Sequence, residues 1–220
     1  SDQVFMEGLS DVGGFAQRMW SSATPGHGRE FCSMVNDAIR GDDSSLMQHL
    51  AVFARTMNAG LITRRTLDVV PWPPKSETYR GAILPERHLQ FYIRMTGHKY
   101  RVPGFLATSF SEDVADEFAM RAWQSVQGKD PAVRYVIRVH PEGATRKVRR
   151  CQHVSLIRKS NKPKEEEFLF VPYSTFKVLK VTTSPTPNYL TPNVVELESS
   201  IDNMIAVSYT HLTLPTTPYV

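Results

Sequence analysis

Residues 165–181 read EEEFLFVPYSTFKVLKV, three glutamates running straight into an apolar stretch that is broken at Pro172 and then resumes. Both apolar runs are expected to be strands, over Glu165–Val171 and Phe176–Val181. If the first begins within the acidic run, its period of two puts Glu165 and Glu167 on one face and Glu166 on the other. Two adjacent carboxylates raise each other's proton affinity, so one can stay anionic beside a developing cation while the other handles a proton. The same residues also suit a solvated acidic loop that balances Lys162 and Lys164, and the stretch alone does not choose.

Upstream, Val133, Tyr135, Ile137 and Val139 alternate with Arg134, Val136 and Arg138, a half-buried strand, and Val154–Arg158 is another. Thr78–Ala82 and Gly104–Thr108 are shorter candidates, cut off from what precedes them by Pro71, Pro73 and Pro74. The spacing predicts a helix over Asp113–Trp123, with Ser111 as N-cap and Val114, Phe118 and Ala122 as its inward stripe. Near the start, Phe31, Met34, Val35, Ala38 and Ile39 recur at helical spacing within Glu30–Ile39, stopped by Gly41. A second helix, capped by Asp43 or Ser44 and closed by Gly60, carries Leu46, Leu50, Phe53, Ala54 and Met57. Helices first and strands later make an α+β domain, and no G-x-G-x-x-G run suggests a Rossmann fold.

Two more segments carry chemistry. In Tyr79-Arg80-Gly81 an arginine lies inside a short apolar strand, where burying a guanidinium is costly unless it meets an anion. A following glycine lets a ligand approach the backbone, so the pair suits a phosphate or carboxylate, although many strand arginines are simply surface residues. Residues 105–111 read FLATSFS, and a strand ending in the hydroxyls of Thr108 and Ser109 can brace a carboxylate. Ser109 and Ser111 equally suit capping the helix that follows.

The 220 residues, 41% hydrophobic and 22% charged, fit one domain and exclude general disorder. No apolar run is long enough for a membrane span. A net charge of +4 is too mild to call for a nucleic-acid partner. Residues 134–164 do gather ten Lys or Arg against Glu142 alone, which would attract phosphates or else form a solvated face. Cys32 and Cys151 are too few for a disulfide framework or a zinc site, and the histidines lack ligand spacing, so no metal is expected. Residues 1–29 read as an irregular lead-in, and 183–220 as a tail with little packed structure. Within that tail, 206–220 (AVSYTHLTLPTTPYV) reads as translated sequencing-adapter read-through. The opening Ser1 suggests a fragment or processed form and leaves a leader, and with it the compartment, undecided.

Taken in order, Arg80, the 105–111 strand and Glu165–Glu167 resemble the R-S-E signature of the arginine-specific mono-ADP-ribosyltransferases, the class of the vertebrate ecto-enzymes and of the cholera-toxin and binary-toxin enzymes. The resemblance extends over FCSMVNDAIR, LMQHLAVFARTMNAGL, YRG, FLATSFSEDVADEFA and EEEFLFVPYSTFKVLKV. It implies a catalytic domain over 30–182, a split β-sandwich with N-terminal helices packed on two mainly antiparallel sheets and an NAD cleft between them. The implied reaction transfers ADP-ribose from NAD, with NADP as an alternative cosubstrate, to an exposed arginine of a protein, releasing nicotinamide. By the same resemblance Arg80 grips the NAD phosphates and Gly81 lies where the backbone meets the nicotinamide carboxamide. Glu167 bonds the nicotinamide ribose and stabilises the oxocarbenium-like state, while Glu165 orients the acceptor arginine and takes its proton. Thr108 and Ser109 complete the site. Ala107 stands where the family has its first serine, the residue that bonds the catalytic glutamate. Its loss predicts a rate lower by roughly 10- to 150-fold unless Thr108 or Ser109 substitutes or Glu167 is braced elsewhere. The alternatives are an NAD glycohydrolase, a weakened transferase-like binding module, and a structural domain whose Arg80 pairs internally.

Overall fold

Side-chain alternation on the strands assigns each residue to one of two cores. A computed structural model describes residues 14–22, 30–41, 44–61, 74–140, 154–156 and 162–200. Helices α1 (14–20), α2 (Phe31–Gly41) and α3 (Ser44–Leu61) come first. There follow β1 (Glu77–Ile83), α4 (Glu86–Arg94), β2 (Lys99–Val102), β3 (Leu106–Ser109), α5 (Glu112–Ser125) and β4 (Ala132–Arg138). The last described elements are β5 (Val154–Leu156), β6 (Glu167–Phe170), β7 (Ser174–Thr182) and β8 (Asn193–Ser199).

The strands line up as β2-β7-β8-β4-β1-β3-β6-β5, antiparallel except for the parallel pair β4–β8. The expected split is visible in the pairing. β1 follows β4 along its whole length, from Glu77 opposite Arg138 to Ile83 opposite Ala132, whereas β1 meets β3 only at Tyr79–Ser109. A five-stranded part and a three-stranded part are therefore hinged on a single residue pair.

β6 serves both cores. Phe168 and Phe170 pack with Phe176, Ile137, Leu197 and α4, while Leu169 and Val171 pack with Val35, Met57 and Trp20 of the N-terminal helices. Asn36 fixes α2 to the entry of β3: its side-chain amide donates to the Phe105 carbonyl (3.1 Å) and its Oδ1 accepts the Phe105 N–H (2.8 Å). Both groups are buried, and the reciprocal pair leaves neither backbone group unsatisfied.

Several expectations change. The lead-in contains α1, with Ala16 and Trp20 buried; so short a helix gains its stability from that packing rather than from its own propensity. The tail contains β8, which lies between β7 and β4 with Val195 and Leu197 buried. Its alternation with Val194, Glu196 and Glu198 is plain strand periodicity, overshadowed in the sequence by the Pro- and Thr-rich residues before it. On α5 the buried face is Ala115 and Ala119, one position on from the expected stripe. α4 and β2 went unread in the sequence. Residues 201–220, Cys151 and most of the basic stretch lie outside the described residues. Of that stretch, Arg134 meets Asp116 and Glu112 (both 2.6 Å), Arg138 meets Glu196 (2.8 Å), and Lys162 meets Glu165 (3.5 Å). These three cations serve the fold's own carboxylates.

Because β8 fills the middle of the sheet, Leu197→Ala is expected to cost about 2–5 kcal/mol in urea-induced unfolding. A cost near zero would return residues 193–199 to the status of a tail.

Candidate active site

The parting of β1 from β3 opens a cavity of about 240 Å³, and Arg80, Gly81, Thr108, Ser109, Glu165 and Glu167 all line it. Each arrives from a different local cause. Arg80 and Gly81 lie mid-strand on β1, with Arg80 opposite Tyr135 of β4. Thr108 and Ser109 end β3, and Ser109 faces Glu167, the first residue of β6. Glu165 is not on that strand. It closes a tight turn over Pro163–Glu165, and Glu166 follows in the left-handed conformation at φ 45°. The two glutamates share the cavity because the backbone reverses between them, not because of strand periodicity.

The hydroxyls behave as caps and ties rather than as carboxylate braces. Ser109 donates to the Glu165 carbonyl (2.7 Å) and accepts from the Ser111 N–H (3.0 Å), while Thr108 donates to the Phe168 carbonyl (2.7 Å). Ser111 is the N-cap of α5, accepting from the Val114 N–H (3.4 Å). Glu167 is instead bonded from α1: the indole N–H of Trp20 donates to its Oε1 at 2.9 Å. Trp20, which also lines the cavity, has no local signal in the sequence, since it stands in a Gly- and Ser-rich run 147 positions from its partner.

Burial pushes the Glu167 carboxyl up to about 7 from an ordinary 4.5. The Trp20 bond, Arg80 and Lys162 pull it down, and Glu165 adds to the rise. Arg80 donates from Nη1 to the Ala107 carbonyl at 2.9 Å, so its guanidinium reaches across the split to β3. Cys32, which also lines the cavity, is a free thiol pushed up to about 12, first by burial and then by Glu30. It is a poor nucleophile in that state. Among the described residues no group of three or more His, Cys, Asp or Glu could hold a metal ion, and no helix is long and apolar enough to cross a membrane.

Gly81 lines the cavity and is also required by packing. A Cβ there would lie 1.7 Å from the Ala115 carbonyl oxygen and 2.7 Å from the Ala119 nitrogen, so the missing side chain is what lets α5 rest on β1. The facing positions of the helix are the buried Ala115 and Ala119, where the stripe is shifted.

No family model and no curated protein matches the chain. Solved structures do. Vis, an ADP-ribosyltransferase from Vibrio splendidus, superposes in complex with the M6 inhibitor at TM-score 0.64 and 18% identity, covering 100% of this chain and 94% of that one. Its complex with agmatine gives 0.55 and 17%, over 97% and 94%. The ADP-ribosyltransferase HopU1 of Pseudomonas syringae gives 0.60 and 16%, over 86% and 76%. Exoenzyme S from Pseudomonas aeruginosa, with human 14-3-3 protein beta and carba-NAD bound, gives 0.53 and 14%, over 88% and 76%. The chain has the α+β ADP-ribosyltransferase fold.

Two outcomes follow from this geometry. Gly81→Ala is expected to lower stability by about 1–3 kcal/mol or more in urea unfolding; unchanged stability would contradict the packing role. For Glu167 the sign is set by its raised value. The unfolded chain releases this proton near 4.5 and the folded one near 7, so the folded state holds more protons between them and stability falls as pH rises through that window. Glu167→Gln removes the cost. It is expected to match wild type at pH 4 and to exceed it by up to about 3 kcal/mol at pH 8. Parallel stability–pH curves for the two proteins would contradict the raised value.

Proposed function

We propose that the protein cleaves NAD and transfers its ADP-ribose to arginine side chains of proteins, releasing nicotinamide. The observation that carries this reading is the convergence of Arg80 from β1 with Glu165 and Glu167 from the turn into β6 on one cavity. Agmatine, which Vis binds, carries the guanidinium that an arginine acceptor would present, and carba-NAD, which exoenzyme S binds, is an NAD analogue.

In the proposed reaction Arg80 supplies a fixed positive charge for the pyrophosphate, where a guanidinium can form paired bonds that an ammonium cannot. Glu167, ionised above about 7, stands beside the ribose as positive charge develops there and the bond to nicotinamide breaks. The nicotinamide leaves with the electron pair of that bond, as a neutral molecule. Glu165 orients the acceptor guanidinium and accepts the proton it loses as its nitrogen bonds to the ribose carbon. NADP is the alternative cosubstrate.

One observation favours a second reading, an NAD glycohydrolase. Lys162 is paired with Glu165 at 3.5 Å, so an incoming guanidinium has to displace an ammonium that is already there. Where it fails to, water is the remaining acceptor.

The test is nicotinamide release from labelled NAD or NADP, with and without agmatine. Release stimulated by agmatine, with label on agmatine, is expected, rising with pH through about 7 as Glu167 ionises. Glu167→Ala should lower it by about 100- to 1000-fold. Glu165→Gln should keep release and lose the labelled agmatine. Release with no labelled agmatine from wild type would select the glycohydrolase, and no release from folded protein would refute both.

A further inference from the structure

We infer that Trp20 is the positioning residue of the site: its indole N–H holds the Glu167 carboxylate in place from a helix outside the sheet. The inference rests on the reading of Glu167 as the catalytic glutamate. Trp20 is itself held firmly. It is only 3% exposed, its ring lies 4.9 Å from that of Phe105 at an interplanar angle of 57°, and it belongs to the core of Val35, Met57 and Leu169. An indole has one donor and no acceptor, so a buried Trp20 needs a partner for its N–H, and Oε1 of Glu167 is that partner at 2.9 Å.

The neighbouring strand leaves this task open. Ala107 has no hydroxyl, and those of Thr108 and Ser109 are used on backbone carbonyls. A donor locked in a core restricts the carboxylate to one rotamer, and with Oε1 taken, Oε2 is the oxygen left to face a ribose hydroxyl. The bond also favours the ionised form that the chemistry requires. The other charged or titratable groups that line the cavity with this carboxylate are Tyr79 and Arg80 on β1, Arg121 on α5, Lys162 and Glu165 in the turn before β6, and Glu30 and Cys32 at the start of α2. Unlike Arg80 and Lys162, Trp20 stabilises the anion without carrying a charge, so its influence is insensitive to salt.

Trp20→Phe keeps the ring and removes the N–H. Two readouts separate the inference from the reading beneath it. The first needs no activity. In protein labelled with 13C at glutamate carboxyls, with Glu167 assigned by its absence in Glu167→Gln, the Glu167 titration is expected to move upward by about one pH unit in Trp20→Phe. In wild type one of the three tryptophan indole N–H signals should titrate with the same midpoint and stop doing so in Glu167→Gln. That arm stands even if Trp20→Phe fails to fold.

The second readout is nicotinamide release. kcat at pH 7 should fall about 10- to 100-fold and recover in part at pH 9, with KM for NAD unchanged. Phe105→Leu, which loosens the ring's packing but keeps the N–H, should lower stability while leaving the titration where it was. An unmoved Glu167 titration in folded Trp20→Phe, or no indole that follows Glu167, would overturn the inference. Loss of nicotinamide release from wild type with both titrations as expected would instead refute the reading of Glu167 as catalytic and leave the Trp20 bond standing.

Discussion

β1 and β3 share the backbone pair Tyr79–Ser109, and the Arg80 guanidinium crosses between them to the Ala107 carbonyl at 2.9 Å. Everything at the cavity follows from that narrow seam. Two strands that paired along their length would leave no room between their edges, and two that did not pair at all would leave Arg80 and Glu167 on unrelated surfaces. The single pair keeps both strands in one twisted sheet yet lets them diverge, and the divergence is the cavity.

The seam holds because each side is packed independently. On the five-stranded side α5 lies so close on β1 that only a glycine is possible at position 81, with Ala115 and Ala119 facing it. On the three-stranded side Asn36 binds both backbone groups of Phe105, and Leu169 and Val171 lock β6 to the helices. The two cores meet in β6, so the strand that begins with Glu167 has little freedom to shift its register. A carboxylate at its first position inherits that rigidity, and pays for it in desolvation.

Much of this was legible in the sequence, and what was missed has physical reasons. Arg80, Thr108, Ser109, Glu165 and Glu167 could be read because charge and hydroxyl groups beside apolar strands are conspicuous locally, and all line the cavity. The manner of the Glu165–Glu167 juxtaposition was not legible, since it depends on a left-handed residue at Glu166, a conformation that glutamate rarely adopts. The packing role of Gly81 was not legible, because a helix that approaches from thirty-odd positions away leaves no mark beside it. β8 shows clear alternation, yet the Pro- and Thr-rich run before it hid a strand that belongs at the centre of the sheet. Trp20 lay beyond reach altogether, because its partner is defined only once both cores have formed.

The parallel pairing of β8 with β4 has a consequence for how the molecule comes into being. β8 enters the sheet between two strands made earlier, running with β4 and against β7. Until residues 193–199 have emerged and threaded into that gap, both neighbours expose backbone edges and apolar faces to whatever else is nearby. Such long-range closure is slow compared with forming a hairpin or a helix. The native sheet cannot be completed before its last described strand arrives, and the interval before that is when its open edges are exposed to aggregation.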